Sequence, residues 1–354
     1  MNHVQDHGWS RNLPEVISNQ AELDEVLSRP SPALVESIKD LKSPLLILGA
    51  GGKMGPTIAW MARRAAEAAG HSLRIVAVSR FTDSGARAWL EARGIDTWAG
   101  DLLEPAAVAQ LPESANVLYL VGLKFGTTQN PAATWAMNTI VPARVAERFP
   151  HARLVALSTG NVYSLTEVAR GGAQESDPLR PLGEYANAAV GRERVLEFYA
   201  RRQGNPLALL RLFYAVELRY GVLVDIAQKV NAGAPVELAN GYFNCIWQRD
   251  ANDLILRAFS LAATPPSVWN LCGPESFSLR AVATTFGELL GRSPQFAGVE
   301  APTALLGDAA RLCARLGRPP TPMDAVVRWI AHWVKTGGRN LGRPTHFEVR
   351  DGAY

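Results

Sequence analysis

Cysteine is scarce in this chain. Three occur among 354 residues, Cys245, Cys272 and Cys313, and they are widely spaced and odd in number. This arrangement matches neither a CxxC site nor a disulfide framework. The first twelve residues are polar and lack the apolar core of a secretion signal. The sequence therefore predicts a reducing, cytoplasmic environment.

Long apolar runs and blocks of like charge are also missing. No apolar run reaches the roughly 18 residues of a membrane-spanning helix. The 36 Lys and Arg residues exceed the 33 Asp and Glu residues by three and form no basic cluster, which argues against a nucleic-acid surface. Among six histidines, only His3 and His7 have an HxxxH spacing, and they lie near the terminus. We expect no membrane, nucleic-acid or metal partner.

Short apolar segments alternate with helical segments over much of the chain. Apolar residues make up 47% of the sequence and charged residues 19%, as in ordinary globular proteins. Strand-like segments occupy 45–49, 73–79, 116–122 and 153–158. The alternation is typical of a parallel sheet with helices on both faces. We predict an α/β fold, a Rossmann-type doubly wound parallel sheet with a smaller C-terminal substrate-binding subdomain.

Three regions follow from this pattern. Residues 1–43 form an N-terminal helical extension, and residues 44–212 form the dinucleotide-binding Rossmann domain. After about residue 213 the alternation loosens and loops containing Pro and Gly appear. Residues 213–354 are therefore predicted to be mainly a substrate-binding subdomain, interleaved with the Rossmann part.

A glycine-rich turn follows the first predicted strand. Residues 49–55 read GAGGKMG, and Gly49, Gly52 and Gly55 recur every third position. Such a turn lets a pyrophosphate approach the backbone, and the following helix offers free N–H groups and a positive dipole end. Because it lies between a strand and a helix at the start of the alternating region, we interpret it as a dinucleotide-binding turn.

The end of the second strand indicates which dinucleotide binds. NAD needs a carboxylate there for the ribose 2′-hydroxyl. This strand ends in Ser79 and Arg80, and no Asp or Glu occurs between Glu67 and Asp83. A guanidinium presents a planar fork of donors that suits a 2′-phosphate. The sequence therefore favours NADP, with NAD as the alternative.

Four motifs resemble the extended short-chain dehydrogenase/reductase family, also called the NAD-dependent epimerase/dehydratase family. They are the glycine turn, GDL at 100–102, LSTGNVY at 157–163, and ESDPLRPLGEY at 175–185. Weaker matches, IWQRDAND at 246–253 and WNLCGP at 269–274, extend the similarity to most of the chain. The resemblance implies nicotinamide-dependent chemistry at a hydroxyl or carbonyl carbon of a polar small molecule, such as a sugar nucleotide.

The resemblance also assigns roles to residues. It makes Tyr185 the proton donor or acceptor and Thr159 the hydroxyl that holds the substrate oxygen. Asn161, Tyr214 and Gln248 are the substrate-binding candidates. The predicted cofactor-binding residues, from turn and resemblance together, are Gly49, Gly52, Lys53, Met54, Gly55, Ser79, Arg80, Asp101, Leu102 and Val121.

One family residue is missing. The family has a lysine four residues after the tyrosine, where it binds the nicotinamide ribose and lowers the tyrosine pKa; this chain has Ala189. Lys124, after the fourth strand, is our preferred replacement, and Arg192 is the second candidate. In another interpretation Tyr185 stays protonated and only donates. In a third, the protein is a catalytically silent NAD(P)-binding sensor or scaffold.

The preferred interpretation is an enzyme with altered acid/base machinery. The chain has Thr159 and Tyr185 at the two catalytic positions of the family, and a protein that only binds dinucleotide would need neither. Family members often form dimers through two helices beside the sheet, and the helices predicted near 131–148 and 184–203 carry apolar residues that would allow this. A homodimer is therefore a further expectation.

Overall fold

The structure, a computed structural model, describes residues 13–82, 84–124, 126–127, 129–343 and 345–353. Its α-helices are α1 (Gln20–Leu27), α2 (Pro32–Ser37), α3 (Gly55–Ala68), α4 (Ser84–Glu91), α5 (Pro105–Ala109), α6 (Pro131–Trp135), α7 (Val141–Arg148), α8 (Gly183–Gln203), α9 (Val222–Ala232), α10 (Gln248–Arg257), α11 (Leu279–Leu290), α12 (Ala310–Leu316) and α13 (Met323–Lys335). Its strands are β1 (Leu45–Leu48), β2 (Ile75–Ser79), β3 (Asp96–Ala99), β4 (Asn116–Tyr119), β5 (Arg153–Thr159), β6 (Thr166–Glu167), β7 (Leu207–Leu212), β8 (Tyr214–Val216), β9 (Pro235–Glu237), β10 (Tyr242–Phe243), β11 (Cys245–Trp247), β12 (Ser267–Leu271), β13 (Phe277–Ser278), β14 (Gln295–Ala297) and β15 (Thr303–Ala304).

Seven of these strands form one parallel sheet in the order β12-β7-β5-β4-β1-β2-β3. In β1, Leu45 pairs with Ile75 on one side and with Asn116 on the other. The chain therefore winds outward in both directions from β1, and the strand order reverses between β1 and β4. Ligands bind outside the carboxyl ends of the strands at such a point. The predicted doubly wound Rossmann-type sheet is confirmed.

The sheet forms because its strands are apolar on both sides. All four side chains of β1 are buried. Leu45 and Ile47 belong to the core formed with α3 and α10, whereas Leu46 and Leu48 belong to the core formed with α7 and α8. Successive strand residues point to opposite faces, so a continuous apolar run is needed where helices cover both faces.

A separate core lies in the C-terminal part of the chain. It joins α9, α11 and α13, and the rings of Trp247 and Trp329 lie 5.5 Å apart within it. The N-terminal extension contributes Leu23 and Leu27 of α1 to this core. The backbone N–H of Ser31, after α1, donates to Asp253 of α10 at 2.8 Å. The described part of the extension is thus packed against the main body.

Two details refine the predicted elements. β12 pairs with β7 in the main sheet although it lies beyond residue 212, so the C-terminal region supplies the last strand. The helix expected over 131–148 is interrupted by a π-helical turn at Ala136–Ile140, a feature frequent at functional sites. No helix within the described residues is long and apolar enough to cross a membrane.

Candidate functional site

An open cleft lies at the carboxyl ends of β1, β2, β3 and β4, where the strand order reverses. It measures about 340 Å³, within the range of small-molecule sites. Its lining residues are Gly49, Gly51, Gly52, Ser79, Arg80, Phe81, Thr82, Ala86, Gly100, Asp101, Leu102, Leu120, Val121, Gly122, Leu123, Met137 and Arg343.

The glycine turn shapes one wall of this cleft. Gly49 has φ +86°, a conformation that side-chain-bearing residues rarely adopt. A Cβ at Gly55 would lie 2.3 Å from the carbonyl oxygen of Ala50, so only glycine allows α3 to start this close to the turn. The Gly52 N–H donates to the Gly49 carbonyl at 3.0 Å and holds the turn closed. The exposed Gly51 and Gly52 leave the backbone open to a phosphate at the N-terminus of α3.

A hydroxyl and a guanidinium stand at the end of β2. A Cβ added at Gly51 would lie 2.6 Å from Ser79 Oγ, so Ser79 lies directly beside the turn. Arg80 is exposed and makes no hydrogen bond or ion pair with a described residue. Across the cleft, Asp101 Oδ1 accepts from the Leu103 N–H at 2.9 Å, which fixes its carboxylate at the rim.

Seven of the ten predicted cofactor residues line this cleft: Gly49, Gly52, Ser79, Arg80, Asp101, Leu102 and Val121. Met54 and Gly55 do not line it. Met54 packs against the core formed with α3 and α10, and Gly55 lies in the first turn of α3. Lys53 turns away from the cleft. Its Nζ donates to the Ala215 carbonyl at 2.8 Å and lies 4.7 Å from the ring centroid of Tyr220. Burial lowers the pKa of Lys53 to about 8.

The predicted catalytic residues lie at the ends of three elements. Thr159 ends β5, and its Oγ1 accepts from the Asn161 N–H at 3.2 Å. Tyr185, in the first turn of α8, is 8% exposed. Lys124 follows β4, and its Nζ donates to the Thr345 carbonyl at 3.4 Å. Burial lowers the pKa of Lys124 to about 8, although Asp225 opposes the shift.

Asp225 connects Lys124 to the surroundings of Tyr185. Burial raises the pKa of the Tyr220 phenol, and the nearby Asp225 and Tyr185 raise it further. Thr345 joins Lys124 to Asp225: its carbonyl accepts from Lys124 Nζ at 3.4 Å and its N–H donates to Asp225 at 2.9 Å.

Ala189 lies one helical turn after Tyr185 but in an apolar environment. It is completely buried in a small apolar cluster that contains Tyr163 and Phe213. Arg192, one turn further along α8, reaches the wall of the cleft: its Nη1 donates to the Val121 carbonyl at 2.8 Å. A Cβ at Gly122 would lie 2.6 Å from that nitrogen. Arg192 thus supports the carboxyl end of β4 from beneath.

The three predicted substrate residues are not brought together. Asn161 and Tyr214 line one cavity of about 20 Å³, room for about one water molecule. Leu182, which precedes α8, and Gly352, near the C-terminus, also line this cavity. Gln248 is fully buried, and its Nε2 donates to Thr57 of α3 at 3.1 Å. It packs between α10 and α3, away from the cavity.

Some lining residues were absent from the prediction. Met137, which lies in the π-helical turn, lines the cleft. Phe81 follows the second strand, a position that strand-end reasoning could have included. Arg343 comes from the segment after α13, and no local pattern indicates that this segment returns to the cleft.

Metal-binding side chains do not converge in the described ranges: no group of three or more His, Cys, Asp or Glu there could hold a metal ion. His3 and His7, which have the HxxxH spacing, lie outside the described residues. The three cysteines are free thiols.

The sequence that includes the glycine turn and most of the sheet matches a known family model. The model of the NAD dependent epimerase/dehydratase family aligns with residues 45–240, more than half of the chain. The chain belongs to this family. Membership confirms the resemblance seen in the sequence, and with it a nicotinamide dinucleotide cofactor and epimerase/dehydratase-type enzyme chemistry.

Solved structures show the same fold at low identity. UDP-glucuronic acid 4-epimerase from Bacillus cereus, in complex with NAD, has 15% identity and a TM-score of 0.69, covering 83% of this chain and 99% of its own. UDP-glucose 4-epimerase from Thermus thermophilus, also with NAD, has 19% identity and a TM-score of 0.64, covering 82% and 98%. RMD from Pseudomonas aeruginosa, complexed with NADPH, has 18% identity and a TM-score of 0.66, covering 83% and 100%. No curated protein sequence matches this chain significantly.

Proposed function

We propose that this family member is an NADP-dependent oxidoreductase or epimerase/dehydratase acting on a sugar nucleotide or a related polar molecule. The observation that carries the proposal is the cleft in which the glycine turn, Ser79 and Arg80 meet. The substrate class is supported by structural relatives that are UDP-sugar epimerases. The test is to titrate NADPH and NADH by fluorescence and to assay a panel of sugar nucleotides and hydroxy acids for turnover.

The proposed mechanism uses the hydroxyls of Thr159 and Tyr185, which are not part of the cleft lining. When bound, the nicotinamide ring supplies or accepts a hydride. Thr159 donates a hydrogen bond to the substrate oxygen and orients the carbinol carbon. Tyr185 accepts the hydroxyl proton during oxidation and returns it during reduction. The half-buried Lys124 supplies the positive charge that the family lysine would supply at position 189.

Arg80 sets the proposed preference for NADP. Replacing it with glutamine should weaken NADPH binding by about 10- to 100-fold, since a hydrogen bond between charged groups contributes roughly 1.5–3 kcal/mol. NADH has no 2′-phosphate, so its affinity should change little. Dissociation constants for both nucleotides, from fluorescence titration, measure the effect.

Arg87→Gln is the matched control for Arg80. Arg87 is also exposed, but its guanidinium pairs with Glu91 at 2.9 Å and does not line the cleft. Arg87→Gln removes the same charge as Arg80→Gln and should leave the affinities for NADPH and NADH unchanged. Equal losses of NADPH and NADH affinity in Arg80→Gln would refute the NADP preference.

The proposed role of Lys124 predicts a pH dependence. A lysine with pKa about 8 loses its charge as pH rises through that value, so kcat should fall above pH 8 if the charge assists Tyr185. Lys124→Met should lower kcat by about 10²-fold. Lys124→Arg keeps the charge and should move the alkaline limb of the profile upward. If kcat of Lys124→Arg still falls near pH 8, this role of Lys124 is contradicted.

We also propose a homodimer and a cytoplasmic location. Trp135 and Ile140, on the first predicted dimer helix, are 39% and 44% exposed, and Phe198 on α8 is 56% exposed. Exposed apolar groups on two neighbouring helices favour burial against a second copy. The molar mass in solution tests the dimer. The free cysteines suit a reducing compartment.

A further inference from the structure

The chain segment after α13 runs back along the mouth of the cleft. The Leu341 N–H donates to the Arg219 carbonyl at 3.1 Å. Thr345 is held by Asp225, whose Oδ2 accepts from the Thr345 N–H at 2.9 Å and from its hydroxyl at 2.5 Å. The Phe347 carbonyl accepts from Asn240 Nδ2 at 2.6 Å. The segment is therefore fixed on both sides of Gly342 and Arg343.

Arg343 stands between these two anchors and lines the cleft. Its side chain is exposed, and it makes no hydrogen bond or ion pair with a described residue. The other basic residue in the cleft lining is Arg80, at the end of β2, and the acidic residue there is Asp101. Lys53 of the glycine turn does not line the cleft, and its Nζ donates to the Ala215 carbonyl.

The position of Arg343 along the cleft follows from its neighbours. The Lys124 Nζ donates to the Thr345 carbonyl at 3.4 Å, so the segment passes the carboxyl end of β4, the neighbour of β1 in the sheet. Arg343 lines the cleft together with Gly49, Gly51 and Gly52 of the turn that follows β1. Arg343 thus shares the cleft with the glycine turn.

We propose that Arg343 binds the pyrophosphate of the nicotinamide dinucleotide, which makes the C-terminal segment part of the cofactor site. The inference rests on the binding of that cofactor at the glycine turn. A pyrophosphate there meets backbone N–H groups and the dipole of α3. A guanidinium adds charge-assisted hydrogen bonds to its oxygens. The anchors at Leu341 and Thr345 hold the segment in place before the cofactor arrives and reduce the ordering that binding requires.

The test compares ligands with and without a pyrophosphate. Arg343→Gln should weaken NADPH, NADH and ADP-ribose by about tenfold or more, because each carries the pyrophosphate. Binding of 2′-AMP, which lacks it, should stay unchanged. Arg343→Lys should recover part of the loss because it restores the charge. Isothermal titration calorimetry gives these affinities, and equal melting temperatures confirm that the variants fold.

Arg339→Gln is the matched control. Arg339 is exposed in the same segment, but it bonds Gln20 and does not line the cleft, so its loss should leave all four affinities unchanged. If Arg343→Gln binds dinucleotides as tightly as the wild type, the role of Arg343 is refuted and the cofactor site stands. The same refutation follows if 2′-AMP binding falls equally. If the wild type binds no dinucleotide, the cofactor assignment falls with the inference.

Discussion

Tyr185→Phe should lower kcat by about 10²- to 10⁴-fold, the contribution of a positioned general acid or base. Phenylalanine keeps the ring that packs at the start of α8, where Tyr185 is 8% exposed, and removes only the hydroxyl. The fold and the cleft therefore stay intact. NADPH affinity should change by less than about twofold, since the phenol acts on the substrate proton. Steady-state rates and a fluorescence titration separate the two effects.

Tyr199→Phe is the control on the same helix. Tyr199 donates to Glu147 at 2.5 Å on the surface of α8, so its replacement likewise removes one phenol hydroxyl. It should leave kcat unchanged. Unchanged turnover in Tyr185→Phe would show that the phenol is not the acid/base group. A wild type that binds NADPH but turns over no substrate of the panel would favour the silent sensor or scaffold.

The sequence was most informative where the backbone alone decides position. The carboxyl ends of neighbouring parallel strands meet at one edge of a sheet. Residues that follow β1, β2, β3 and β4 therefore converge whatever their side chains do. Ser79 and Arg80 were predicted from the end of the second strand and Asp101 from the family resemblance, and all three line one cleft.

Side-chain direction could not be predicted in the same way. Gln248 begins α10, and the rotation of that helix against α3 turns it toward Thr57. Lys53 has its acceptor, the Ala215 carbonyl, 162 positions away in the chain. Arg343 reaches the cleft because Asp225 and Arg219 hold its segment. These placements depend on contacts between distant segments, which local spacing does not encode.

A buried ion pair fixes α8 against the sheet beneath the proposed catalytic residues. Glu193 of α8 accepts from Arg211 Nη2 at 2.7 Å, and their side chains are 1% and 4% exposed. Glu193 also accepts from the Ser158 hydroxyl, next to Thr159 in β5. Burial raises the pKa of Tyr163 to about 12, so its phenol stays protonated and donates to Asn270 at 2.9 Å while it accepts from Arg211. Every partner of Glu193 is a buried polar group.

Glu193→Ala should therefore lower the free energy of unfolding by about 3–5 kcal/mol, because it leaves the Arg211 charge buried and unpaired. Glu197→Ala, one turn further along α8, also breaks ion pairs, with Arg194 and Arg201, but these are exposed and should cost at most about 1 kcal/mol. Urea unfolding of both variants measures the difference. Replacing the whole pair, as in Glu193→Leu with Arg211→Met, should restore most of the loss, since no unpaired charge remains. If Glu193→Ala and Glu197→Ala lose equal stability, the ion pair does not hold α8 on the sheet.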